Sequence, residues 1–134
     1  MREIKYRAKT RMTGEWVYGF YVERRDASYG MIYSFDGLGT KVDKKTVGEF
    51  TGLKDKNKIL DLCVGDVVKV GSRYGNRIGT IEFGNPQRAN ETNDVWGFYV
   101  VSIADESYIS TGIPDNIEII GNRFDNPELL MEVE

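Results

Sequence analysis

The sequence contains no histidine. That removes the commonest general base and the commonest metal ligand, and with them any Ser-His-Asp or Cys-His arrangement within the chain. Cysteine occurs once, as Cys63, so no internal disulfide forms, and one thiol without histidine does not build a typical zinc site. Cys63 stands between Leu62 and Val64 with no cationic cluster beside it, which reads as a buried structural thiol. A phosphate loop of the G-x-x-x-x-G-K-[ST] kind is missing. So is any apolar run approaching the ~20 residues that a membrane helix needs. The opening MREIKYRAKT is charged, with no apolar centre, unlike a signal peptide. These absences lead us to expect a cytoplasmic protein, with no cofactor, no metal and no enzymatic activity.

Acidic and basic residues are both present in number. The chain of 134 residues carries a formal net charge of −3. A general nucleic-acid binder would carry a basic excess, so the balance favours a protein partner. The charge is unevenly spread. Lys5, Arg7, Lys9 and Arg11 crowd the start, six lysines from Lys41 to Lys58 crowd the middle, and carboxylates from Asp115 to Glu134 crowd the end. Carboxylates remain for acid-base chemistry, among them Asp55, Asp61 and Asp66 near the middle of the chain and Asp105 with Glu106 after the most apolar strand. No spacing singles out a pair, and Asp is a natural turn residue.

What dominates is strand. Aromatic and β-branched residues come in short runs divided by glycine. In REIKYRAKT, Ile4, Tyr6 and Ala8 fall on one face and Lys5, Arg7 and Lys9 on the other, as a period of two requires. Thr13-Gly14 then predicts a turn into EWVYGFYVE, and Asp36-Gly37 a tight turn after YGMIYSF. Further strands are predicted over Val47–Thr51, Val67–Val70, Arg77–Phe83, the run VWGFYVVSI and the run DNIEIIGNRFD. GFYV occurs twice, at Gly19–Val22 and Gly97–Val100, which reads as two central strands with glycine under a neighbouring ring. Trp16 and Trp96 fit a core better than a stacking platform in so strand-rich a chain. One helix is predicted, about two turns long, with Asn126 as cap, Pro127 at the first position and Glu128 at the positive end.

The segments MREIKYRAKT, GEWVYGFYVE, TVGEFTGLKDKN, GDVVKV and IEIIGNRFDNPELL occur in that order. Together they resemble the YopX family, small proteins encoded by bacteriophages and prophages, and the resemblance spans nearly the whole chain. It implies a mostly β protein with an SH3-type barrel component and supplies no catalytic residues. Where family members approach the barrel with a Glu-Ile-Tyr-Glu-Gly-Asp-like segment, this chain has DLCVGD, so Cys63 and Val64 replace an aromatic and a carboxylate.

The expected fold is therefore mainly β: an N-terminal β unit over 1–61, then an SH3-like barrel and a short C-terminal helix over 62–134, or one compact domain. The expected role is a non-enzymatic accessory protein of phages or prophages in the bacterial host cytoplasm, binding another protein and with exposed strand edges that favour a homo-oligomer. The alternatives are a small nucleic-acid-binding barrel and, last, a carboxylate-based enzyme. Two stretches are candidate binding sites. Lys5, Arg7, Lys9 and Arg11 share a face and form either a solvated outer edge or a phosphate-tracking stripe. Lys54, Asp55, Lys56 and Asn57 form either a connector, with Asp55 and Asn57 bonded to nearby backbone, or a ligand loop.

Overall fold

The computed structural model describes residues 5–34, 36–73, 75–84, 97–110 and 112–131; Ile4 and Trp96 lie outside them. The chain divides into two compact units, Met1–Gly52 and Leu53–Glu134. Both are built from antiparallel strands, and the only helical elements among the described residues are two short 3-10 turns.

The first unit contains β1 Tyr6–Lys9, β2 Trp16–Val22, β3 Tyr29–Tyr33, β4 Gly39–Asp43 and β5 Gly48–Lys54, whose last two residues pass into the second unit. Strands neighbour in the order β4-β3-β2-β1-β5. The predicted turns are in place. Gly14 and Gly37 both take positive φ, 74° and 88°, and the Gly37 N–H donates to the Ser34 carbonyl. Strand β4 has no strong sequence signal: GTKVD offers one apolar residue, Val42, and that residue is fully buried. The core is small. Ala8, Ile32 and Val42 are buried, with Tyr6, Val17, Tyr21 and Val47 packed against them. An isolated bridge between Thr10 and Val42, with the Arg11 N–H donating to the Lys41 carbonyl at 3.2 Å, brings the chain beyond β1 onto β4. A 3-10 turn, Lys44–Thr46, is capped by Asp43, whose carboxylate accepts from the Lys45 N–H.

The second unit contains β6 Asp61–Cys63, β7 Asp66–Ser72, β8 Gly75–Gly84, β9 Gly97–Ser102, β10 Tyr108–Ser110 and β11 Ile117–Asn122. Five of them form a sheet in the order β10-β9-β8-β7-β11. Leu62, Val68, Val70, Ile81, Val100 and Ile117 make its core, with Val64, Ile109, Ile113 and Ile119 packed on it. Cys63 is buried beside them, as its apolar neighbours suggest. The turn from β6 to β7 is pinned by Asp66, which accepts from the Cys63 N–H at 2.8 Å, while Gly65 takes φ 97°.

Three sequence expectations need correction. The SH3-like barrel is not confirmed, because β10 and β11 are the edges of an open sheet. Closure demands a continuous ladder between edges, whereas β10 is three residues long and both strands carry a register shift, between Tyr108 and Ser110 and between Ile119 and Gly121. The C-terminal helix is one 3-10 turn, Pro127–Leu130, rather than two α turns. Asn126 does not cap it; its side-chain oxygen instead accepts from the Asn122 N–H at 3.2 Å. The two GFYV copies also differ. A Cβ on Gly19 would stand 2.2 Å from the Tyr33 carbonyl oxygen, a backbone approach rather than a ring, while one on Gly97 would meet nothing within 4 Å.

Candidate functional site

Alternation along β1 works as the sequence suggests. Ala8 and Tyr6 turn to the core, and Lys5, Arg7 and Lys9 turn away from it. The register of the sheet then decides what these cations meet. Arg7 stands opposite Tyr18 and Lys9 opposite Trp16 on β2. Phe20 stands opposite Tyr33, and Val22 opposite Met31, on β3; Met31 in turn faces Lys41 on β4. One face of the first unit therefore carries Trp16, Tyr18, Phe20, Val22, Met31 and Tyr33 with cations on both flanks.

This face is not a second core. Tyr18, Phe20, Val22 and Tyr33 are between 37% and 50% exposed. Three of them lie at every second residue of one strand, so their side chains are spaced about 7 Å apart along it. The cations are half-buried and rest on rings rather than standing free in water. The Lys5 ammonium lies 4.5 Å from the centroid of Phe50, and the Arg7 guanidinium 4.7 Å and the Lys9 ammonium 5.4 Å from that of Trp16. Phe50 in turn packs against Tyr18, with centroids 6.0 Å apart. Each such pair contributes about 0.5–1 kcal/mol where water still reaches it. Trp16 is thus half-buried under two cations and stands outside the buried core cluster.

Arg11 leaves β1 and, through the chain's return to β4, reaches Tyr29. Its guanidinium lies 5.8 Å from that ring, with Arg24 at 5.9 Å and Lys41 at 4.7 Å. Among the described residues, few carboxylates lie on this side. Glu49 stands opposite Tyr6 and so belongs to the other face. Asp43 is the one strand carboxylate aligned with the cations among the described residues, and it is engaged in capping the 3-10 turn. Ten Lys or Arg against seven Asp or Glu leave the first unit at +3, and eight against fourteen leave the second at −6.

The second candidate stretch is placed quite differently. Gly52 takes φ 85°. Asp55 is buried: its own N–H donates to the Leu60 carbonyl at 2.9 Å, and its carboxylate accepts from the Ile59 and Leu60 N–H groups, both at 3.4 Å. Lys54 pairs with Asp61 at 2.8 Å. The Lys56 backbone N–H donates to the Ile117 carbonyl, and its ammonium lies 3.8 Å from Glu118. Asn57 is exposed. These contacts build a connector, with each charge answered inside the second unit. Around its tip Leu53, Ile59 and Leu60 are exposed.

The sequence offered the basic stripe but not its aromatic half, because Trp16 and Tyr18 look like core residues until the register is known. Alternation in WVYGFYV was the available signal: both faces of β2 are rich in rings and branched residues, and one sheet in a unit with so small a core cannot bury both.

The class defined so far is an antiparallel β protein in two units, one of which presents an open aromatic and basic sheet face. The chain belongs to the YopX family: the family model described as YopX protein matches residues 5–131. Comparison with the curated proteins and with the solved structures yields no match.

Proposed function

We propose that the protein is a non-enzymatic binding module, in keeping with the phage accessory role that the family resemblance implies, and that its ligand is single-stranded nucleic acid laid across the outer face of β1, β2 and β3. The charge balance of the whole chain favours a protein partner. The local charge is what a ligand meets, and the first unit is cationic. One observation carries the reading: Tyr18, Phe20 and Tyr33 are exposed on a single face whose flanks hold Arg7, Lys9 and Lys41. Rings accept unstacked bases with little regard to sequence, and the flanking cations follow the phosphates. Duplex offers no free base face, so single strands are the preferred form.

The test is fluorescence anisotropy of the full chain with labelled oligothymidylate across a salt series. The expected result is binding that weakens as salt rises, with a Tyr18→Ala/Phe20→Ala double variant losing about 2–6 kcal/mol of affinity, at ~1–3 kcal/mol per stacked base. No binding at low salt ends this reading.

A protein partner is the second reading, favoured by Leu53, Ile59 and Leu60 at the tip between β5 and β6.

A further inference from the structure

The group around Tyr29 differs from the rest of the basic face. Lys5, Arg7 and Lys9 are spread over two rings, whereas Arg11, Arg24 and Lys41 all lie within 5.9 Å of the centroid of one. The Lys44 ammonium donates to the Arg24 carbonyl and adds a fourth positive charge. Two carboxylates answer them: Asp26, 4.0 Å from Arg24, and Asp43, which stands opposite Tyr29 and caps the 3-10 turn. Four cations against two carboxylates leave this corner at +2. Like charges held this close repel one another, and the quadrupole of one ring offsets only part of that. A bound anion removes the repulsion.

The corner also has room. A cleft of about 660 Å³ opens beside Arg11 and Lys41, with Thr10, Thr13 and Thr40 on its walls. The hydroxyls of Thr10 and Thr13 are bonded to each other at 2.6 Å, and Arg11 is steadied by Ser28 at 3.1 Å. Arg24 follows Val22 by two residues, so the corner continues the exposed stripe of β2.

We infer that this corner is a phosphate-anchoring subsite that takes the terminal phosphate monoester of the strand bound on the adjoining face. A terminal monoester carries about −1.5 to −2 charge and three acceptor oxygens, matching a +2 corner, whereas an internal phosphodiester carries a single charge. The inference rests on the proposed single-strand reading and adds a direction to it, because one end of the strand is held and the other is free.

Isothermal titration calorimetry of the full chain with unlabelled hexathymidylate tests it, using strands with a 5′-phosphate, a 3′-phosphate or neither. One of the two phosphorylated strands is expected to bind about tenfold tighter than the unphosphorylated one. The Arg11→Gln/Arg24→Gln double variant, which leaves Lys41 in place on the strand-binding face, is expected to lose that gain and to keep its affinity for the unphosphorylated strand within about threefold. Both residues are exposed, and an unchanged melting temperature shows the variant to be folded. Equal affinity for all three strands overturns the subsite and leaves the single-strand reading standing. An equal gain from either terminal phosphate reports general charge attraction and also overturns it. Failure of all three to bind overturns both.

Discussion

The two units use the same material, short antiparallel strands, to opposite ends. In the second, six buried residues from β6, β7, β8, β9 and β11 close around one another, and charges are matched locally, as in Lys54–Asp61, Lys69–Glu118 and Arg123–Glu82. In the first, only Ala8, Ile32 and Val42 are buried in the cluster, while Tyr18, Phe20, Val22 and Tyr33 stay between 37% and 50% exposed, beside cations that rest on Phe50 and Trp16. Burial stabilises by roughly 25 cal/mol per Å² of apolar surface, so surface left exposed is stability forgone. The proposed single-strand reading accounts for a strand that forgoes it three times on one side. The second unit has the larger buried cluster, and the first leaves an aromatic and basic face exposed.

Substitutions can break this contrast. The largest effect is expected from Leu62→Ala, which empties a fully buried site in the second unit and is expected to cost about 2–5 kcal/mol in urea denaturation. Phe20→Ala removes a larger side chain from the first unit, yet half of it is exposed, and the expected loss is below about 1 kcal/mol. Comparable losses at both sites would mean that the aromatic face is structural.

Next comes Gly19→Ala, expected to cost about 1–3 kcal/mol because the new methyl would meet the Tyr33 carbonyl in a strand held at φ 153°. Gly97→Ala, in the same GFYV sequence but with open space around it, is expected to stay within about 0.5 kcal/mol. Thermal unfolding of the two variants separates them.

Asp55→Ala follows, at about 1 kcal/mol, since Ile59 and Leu60 lose the acceptor that holds the connector. Its oligothymidylate affinity is expected to be unchanged, and a loss of binding there would move the site into the second unit.

The smallest effect is on pH. Asp36 in the first unit is held below the usual carboxylate range by the Ser34 hydroxyl and then by the Leu38 N–H. Asp105 in the second is lowered by the Ser107 hydroxyl and then by its N–H. A depressed folded value means stability present above the ordinary value of 3.8 and lost as pH falls through the lower folded one. Both groups are fully exposed, so carboxyl titration by NMR, rather than melting, is the measurement: each is expected to titrate below 3.8, and a value at or above it contradicts these turns.

Much of this was legible in the residues. The strands with strict alternation or glycine-bounded turns, β1, β2, β3, β7 and β8, are where the pattern put them. Those without a pattern were not: β4 and β10 are short, and pairing with a neighbour, rather than their own composition, makes them strands. The helix signal at Asn126-Pro127 was overridden because Asn126 serves the Asn122 N–H instead. For the site, the period of two in β1 gave Lys5, Arg7 and Lys9, but the rings beside them come from β2 and β5. Pairing between strands is set by register, which one strand's sequence does not contain. Arg24 and Lys41 joined Arg11 only through the return of the chain from Thr10 to β4.

The most direct measurement is a two-dimensional amide NMR titration of the full chain with unlabelled oligothymidylate at low salt. Shifts are expected to concentrate in Trp16–Val22, Tyr29–Tyr33 and the neighbouring residues of β1, with the buried strands of the second unit unmoved. No perturbation at saturating oligonucleotide, or shifts confined to the tip at Leu53, Ile59 and Leu60, would contradict the assignment of the aromatic and basic face as the binding surface.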